Sequence, residues 1–146
     1  MAYYEIGIYH TKRGTNVGTL WRSAVQLGAA GVFTIGRRYK HQSSDTHKVV
    51  RHIPLRHYTT FEDFRKNRPI GAVLVGVEMG GTPLSKFKHP KTAVYLLGAE
   101  DHGIPQSILN QCDFVVSLDA VSHPSYNVAV AGSIVMYHRE FLSKGG

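Results

Sequence analysis

Apolar residues fall into short continuous runs separated by polar, glycine-rich segments. Five of these runs have the length and β-rich composition of strands, and they span residues 3–9, 31–36, 71–79, 92–98 and 113–118. Several show almost no alternation between apolar and polar positions. That pattern is typical of strands buried on both faces of a parallel sheet.

The segment that follows the first strand and its polar loop is predicted to be a helix. Leu20, Ala24 and Leu27 lie on one helical face, Asn16 stands at the expected N-cap, and Gly28 lies near the expected end. A strand, a helix and a strand therefore follow one another within the first 36 residues. This order is the usual signature of a parallel sheet.

Further helices are predicted at 59–67, capped by Thr59 or Thr60, at 105–112 and at 125–142, the last being apolar on most sides. Residues 37–58 show little periodicity and are predicted to form a long loop. The pattern predicts one α/β domain spanning residues 1–146. The count of strands expected in all is about six, in one mostly parallel six-stranded sheet with helices on both faces.

Composition favours a globular protein of a reducing compartment. No apolar run reaches membrane-spanning length, and the N-terminus lacks the pattern of a signal peptide. The single cysteine, Cys112, excludes an internal disulfide and a structural zinc site built from several thiolates. Cytoplasmic localisation is therefore expected.

The charge balance indicates a polyanionic partner. The formal net charge is +7 and the isoelectric point is near 9.7, which favours binding to nucleic acid. A small basic protein with no nucleic-acid partner is the alternative, and charge alone does not decide between them.

Several familiar chemistries are absent from the sequence. It contains neither the P-loop pattern nor the dinucleotide fingerprint after the first strand, and no His-Glu-x-x-His spacing. Glu100, Asp101 and His102 are adjacent, so their side chains point in different directions and a shared metal ion is not expected. Instead, three loops at 16–22, 97–105 and 122–132 follow predicted elements in the manner of ligand loops at the carboxyl ends of parallel strands.

These three segments resemble the motifs of the SpoU/TrmH branch of the SPOUT methyltransferases. They read Asn16-Val-Gly-Thr-Leu-Trp-Arg22, Leu97-Gly-Ala-Glu-Asp-His-Gly-Ile-Pro105 and Ser125-Tyr-Asn-Val-Ala-Val-Ala131. Each motif alone is weak evidence for the family. Together they make a strong match, because they occur in the family's order and the match extends over residues 16–137, nearly the whole chain.

The resemblance implies a deep C-terminal trefoil knot, S-adenosylmethionine as the methyl donor, and a homodimer. No metal is expected, because the sequence lacks a ligand spacing typical of metal sites. The family commonly has Ile-Pro near the end of the sixth strand, whereas this chain has Ser117-Leu118-Asp119. The expected donor-binding residues are Leu97, Gly98, Ala99, Gly103, Leu118, Asn127 and Val128.

The same resemblance implies a catalytic set with Arg22 at its centre. Arg22 would bind a phosphate, orient a ribose 2′-hydroxyl and stabilise its developing negative charge. The alternative role is that of a general base, against which stands the fact that a guanidinium stays protonated in proteins. Asn16 would hold Arg22 or the ribose, and Glu100 would pin Arg22 by a charge-assisted hydrogen bond. Ser125 and Asn127 would order the loop, although helix capping alone would also account for both.

Cations and aromatic residues in the segment after residue 36 are typical of RNA-contacting surfaces. The expected phosphate contacts are Arg37, Arg38, Lys40, Lys48 and Arg51. The predicted function is 2′-O-ribose methylation of RNA, with tRNA favoured. The alternatives are rRNA as the substrate, methylation of a base, and an RNA-binding protein of the same fold without activity.

Overall fold

The computed structural model describes residues 2–36, 53–100 and 102–143. The strands are β1 (Tyr3–Tyr9), β2 (Gly31–Ile35), β3 (Leu55–Tyr58), β4 (Val73–Pro83), β5 (Thr92–Leu97) and β6 (Phe114–Ser117). The helices are α1 (Gly14–Leu27), α2 (Phe61–Asn67), α3 (Gln106–Leu109) and α4 (Val128–Tyr137). One 3₁₀ turn follows β4 at Leu84–Lys86, and a π-helical segment, His138–Leu142, continues α4.

The six strands form one sheet in the order β3-β2-β1-β5-β4-β6. Every pairing is parallel, so the sheet is more regular than the mostly parallel one predicted. β1 and β5 lie next to each other at its centre, in register from Tyr3 opposite Thr92 to Ile8 opposite Leu97. The loops that follow these two strands therefore start at the same edge of the sheet.

β3 corrects one sequence prediction. Leu55–Tyr58 lies in the segment predicted to be a loop, yet it pairs with β2 from Val32 opposite Leu55 to Ile35 opposite Tyr58. Its residues are half-buried or exposed because it is an edge strand. An edge strand of this kind lacks the continuous apolar run that marks the central strands.

Apolar residues cover both faces of the sheet, as the sequence predicts. On one face, α1 and α4 pack against each other and the sheet, with Trp21, Leu20 and Val135 buried there. On the other face, α2 and α3 contribute Phe61, Phe64 and Ile108. Trp21 is thus a core residue, and its indole Nε1–H donates to the Ile53 carbonyl at 3.1 Å.

The sequence predicts the end of α1 and the start of α2 correctly. Gly28 ends α1 in the left-handed conformation, with φ of 89°, and the Thr60 hydroxyl accepts a hydrogen bond from the Asp63 amide at the start of α2. Asn16 was expected to be the N-cap of α1, and that prediction is wrong. The helix begins at Gly14, and Asn16 lies buried within its first turn.

A polar cluster joins the end of α4 to the segment before β5. His89 Nε2 lies 2.8 Å from His138 Nδ1, and His89 Nδ1 lies 2.7 Å from the Tyr95 hydroxyl. Arg139 donates to the same hydroxyl at 2.9 Å and to the Pro90 carbonyl at 2.6 Å. Burial, followed by the nearby His138 and Arg139, lowers the pKa of His89 from 6.5 to about 4.

This cluster should make the fold sensitive to mild acid. A histidine with a lowered pKa in the folded state takes up its proton more readily when unfolded. Its contribution to stability is therefore complete above pH 6.5 and is lost as the pH falls towards about 4. Urea unfolding at neutral pH and near pH 5 should show wild type losing about 1 kcal/mol more than His89→Asn. Equal losses in the two proteins would contradict this assignment.

Candidate functional site

The loop after β5 forms a tight turn at the carboxyl edge of the sheet. Gly103 donates its amide hydrogen to the Ala99 carbonyl at 3.0 Å and takes a positive φ of 63°. A Cβ at Gly98 would lie 2.4 Å from the Gly103 carbonyl carbon. Only glycine at position 98 lets the two ends of this turn approach so closely.

A cavity of about 530 Å³ opens beside this turn. Its volume lies within the range of about 300–1,000 Å³ that is usual for small-molecule sites. Its walls come from the middle of β4, the loop after β5, α3, the segment after β6 and the start of α4. The lining residues include Leu97, Gly98, Ala99, Gly103, Leu118, Ser125 and Val128.

Glu100 links the cavity to the start of α1. It lines the cavity, and its Oε1 accepts hydrogen bonds from the Thr11 hydroxyl at 2.7 Å and from Asn16 Nδ2 at 2.5 Å. The Lys12 amide donates to Oε2 at 3.3 Å. Partial burial acts to raise the pKa of Glu100, but the hydrogen bonds from Thr11, its own backbone, Asn16 and Lys12 outweigh it and lower the pKa.

Asn127 connects this network to α4. Its side-chain oxygen accepts hydrogen bonds from the Ala129 and Val130 amides, which makes it the N-cap of α4. Its Nδ2 donates to Asn16 Oδ1 at 3.2 Å. Asn127, Asn16 and Glu100 therefore form a continuous polar chain between the two helices and the cavity.

Two substitutions of Asn127 should distinguish its role as the N-cap of α4 from its hydrogen bond to Asn16. Asn127→Ala removes the cap and should lower the free energy of unfolding by about 1 kcal/mol. Asn127→Asp keeps an oxygen for the helix amides but loses the Nδ2 donor to Asn16, so its stability should stay closer to wild type. Chemical denaturation of both variants measures this, and an equal loss in both would contradict a capping role.

The structure brings four of the five predicted catalytic residues around the cavity. Glu100 and Ser125 line it, while Asn16 and Asn127 bond to one another beside it. Arg22 lies further along α1, exposed, and does not line the cavity. The expected hydrogen bond between Glu100 and Arg22 is not formed; within the described ranges Glu100 bonds to Thr11, Lys12 and Asn16 instead.

Six of the seven predicted donor-binding residues line the cavity, and Asn127 is the one that does not. The predicted RNA contacts Arg37, Arg38, Lys40, Lys48 and Arg51 lie outside the described residues. Their role stays a prediction.

The departure from the family pattern after β6 has a structural role. Ser117 Oγ donates to the Gly81 carbonyl at 2.9 Å, and the Asp119 carboxylate accepts from the Ser85 amide at 3.0 Å and from its hydroxyl at 3.1 Å. These polar residues tie the end of β6 to the segment around the end of β4. Leu118 remains on the cavity wall.

Two residues of the site were missed from sequence. Thr11 is buried and donates to Glu100, and Glu78 lines the cavity while accepting the Ile104 amide at 2.8 Å. A polar residue in the loop shortly after β1 was the available signal for Thr11. For Glu78, the signal was an acid inside the otherwise apolar run at 71–79.

No group of three metal-ligating side chains occurs among the described residues. In the same ranges, no helix is long and apolar enough to cross a membrane.

The protein is a parallel α/β protein with a cavity of small-molecule size at the carboxyl edge of its sheet. Comparisons with known proteins identify its family. The chain matches the SpoU rRNA Methylase family over residues 4–137. It is 30% identical over 128 residues to an uncharacterised tRNA/rRNA methyltransferase of Archaeoglobus fulgidus, covering 84% of this chain and 57% of that protein. The chain belongs to the SpoU/TrmH family of SPOUT RNA methyltransferases.

Solved structures share the fold. The SpoU methyltransferase AviRb of Streptomyces viridochromogenes, in complex with AdoMet, superposes with a TM-score of 0.78 at 24% identity, covering 99% of this chain and 59% of that one. A structure concerned with 2-OH methylation of C/U34 on tRNA gives a TM-score of 0.82 at 21% identity, covering 94% of both chains.

Proposed function

We propose that this chain is an S-adenosylmethionine-dependent methyltransferase that modifies the ribose 2′-hydroxyl of RNA, with tRNA as the substrate. The observation that carries the proposal is the Glu100 network. One carboxylate lines the cavity and bonds to Asn16 at the start of α1, the helix that also presents Arg22. The network thus connects the proposed donor site to the proposed RNA-binding residue.

The cavity has features that fit the donor. The two glycines of the turn bring backbone close to the cavity, while Leu97, Leu118 and Val128 supply apolar walls. The AdoMet complex of the related AviRb supports the same choice of donor. When bound, S-adenosylmethionine supplies an electrophilic methyl group carried on a sulfonium.

Arg22 is the residue proposed to act on the RNA. Its exposed guanidinium carries five donors and a permanent positive charge. It therefore binds a phosphate next to the target ribose, orients the 2′-hydroxyl and stabilises the negative charge that develops on the oxygen. The Asn16–Glu100 and Asn16–Asn127 hydrogen bonds fix the first turn of the helix that carries Arg22.

The proposal includes a homodimer and the family's C-terminal knot. An apolar groove of about 530 Å³ lies between α1 and α4, where Leu27, Ile134 and Leu142 form part of its wall. Val130, Tyr137, Phe141 and Leu142 are exposed at 46–65% along the same helix and its continuation. A second copy would cover this surface, which groups four exposed apolar side chains on one helix and its continuation. Sedimentation equilibrium tests this, and a monomer at all concentrations would contradict it.

Mass spectrometry tests the position of the methyl group. RNA is incubated with the protein and donor, then digested to nucleosides. The proposal predicts that the added mass stays on the ribose fragment after loss of the base. A methyl group that leaves with the base would contradict 2′-O transfer and favour base methylation. Isothermal titration with donor distinguishes an RNA-binding protein without activity, which would fail to bind it.

A further inference from the structure

Glu78 lies where β4 stops pairing with β5. The last pair between these strands is Val77 opposite Leu97, and the register of β4 against β6 shifts directly after Val77. Leu97 is also the last residue of β5 before the turn that contains Gly98 and Gly103. Glu78 and the turn therefore lie next to each other, where the paired parts of β4 and β5 end, and both border the cavity.

Two contacts hold the Glu78 carboxylate against the turn, and a third ties it to its own strand. Its Oε2 accepts the Ile104 amide at 2.8 Å, and its Oε1 accepts the Met79 amide at 3.0 Å. A Cβ on Gly103 would lie 2.2 Å from Oε2, so the carboxylate packs directly on that glycine. The side chain is half-buried and forms part of the cavity wall.

The charge on this wall has the opposite sign to the protein as a whole. The chain has a formal net charge of +7, yet the carboxylates of Glu78 and Glu100 line the cavity and, within the described residues, no lysine or arginine does. The other ionisable side chain on the wall is the exposed His102. Glu100 is directed into hydrogen bonds with the segment around the start of α1. Glu78 accepts only backbone amides and forms no ion pair within the same ranges.

We propose that Glu78 is a specificity-determining residue, whose carboxylate makes the cavity favour the cationic S-adenosylmethionine over its neutral product, S-adenosylhomocysteine. This inference rests on the proposed donor site. The two molecules differ by a methyl group and by the positive charge of the sulfonium. A fixed negative charge in a partly enclosed cavity therefore interacts differently with them. The same preference assists release of the product after transfer.

The test is the ratio of the two dissociation constants, Kd for S-adenosylhomocysteine over Kd for S-adenosylmethionine. Isothermal titration in the absence of RNA measures both constants. Glu78→Gln keeps an oxygen for the Ile104 amide but removes the charge. It should lower the ratio about fivefold, mostly through weaker binding of S-adenosylmethionine. The matched control is Glu62→Gln on the exposed face of α2, which removes one charge outside the cavity and should leave the ratio unchanged.

Salt provides a second measurement that needs no variant. Raising the ionic strength from about 50 mM to about 500 mM should lower the wild-type ratio, because salt screens the charge. A Glu78→Gln protein that binds both molecules more weakly by the same factor would overturn the proposal and make Glu78 a support of the turn only. A wild-type ratio independent of salt would also overturn it. Wild type that binds neither molecule would instead refute the donor site itself.

Discussion

Arg22→Ala is expected to lower the rate of methyl transfer to RNA by at least about a hundredfold. That is the usual effect of removing one group that stabilises developing negative charge on an oxygen. Donor binding should be unchanged because Arg22 does not line the cavity. The free energy of unfolding should also change little, since the side chain is exposed.

Single-turnover transfer of a labelled methyl group, with titration of the donor in parallel, measures both quantities. Arg22→Lys keeps the charge but loses the planar fork of donors, so its rate should fall between those of wild type and Arg22→Ala. Lys66→Ala, on the exposed surface of α2, is the control for loss of one surface cation. Loss of donor binding together with transfer in Arg22→Ala would show that Arg22 is structural.

Gly98→Ala is expected to weaken donor binding at least about tenfold. The new Cβ would meet the backbone of Gly103 and Ile104 at 2.4–2.6 Å, so the turn must open. Rigid backbone does not yield as a flexible side chain does, and overpacking of this kind typically costs about 1–3 kcal/mol. Because the turn forms one wall of the cavity, opening the turn should lower the affinity for the donor.

Gly18→Ala makes the same substitution in open space. A Cβ at Gly18 would have no atom within 4 Å among the described residues, and alanine favours the helix in which it lies. Its affinity for the donor should equal that of wild type. Isothermal titration compares the two variants, and equal affinity in Gly98→Ala would contradict the assignment of the turn to the donor.

The central strands and the loops of the site could be predicted because their signals are local. β1, β4 and β5 are near-continuous apolar runs, and the glycines of the turn after β5 mark a close backbone approach. β3 could not be predicted, since Leu55–Tyr58 is an edge strand that alternates weakly and follows a polar segment. Its pairing with β2 depends on a contact that the local sequence does not encode.

The hydrogen-bond partners within the site were harder to predict from the sequence than the residues that form it. Asn16 resembles an N-cap locally, but its side chain is satisfied by Glu100 and Asn127, which are distant in sequence. These tertiary partners replace the local capping bond. Glu100 was expected to hold Arg22, yet Thr11 and Asn16 lie closer in the fold and take its lone pairs. The residue types at the edge of a parallel sheet indicate which residues lie close together there. The hydrogen bonds that they form depend on the geometry of their side chains in the folded protein.

The most direct test of the central claim is transfer of a labelled methyl group from S-adenosylmethionine to unmodified bulk tRNA and, in parallel, to rRNA. The account predicts that the wild-type protein labels tRNA and that the label is recovered as 2′-O-methyl nucleotide. Labelling of rRNA alone would contradict the proposed substrate. Labelling of neither RNA, with no measurable donor binding, would contradict the proposed activity.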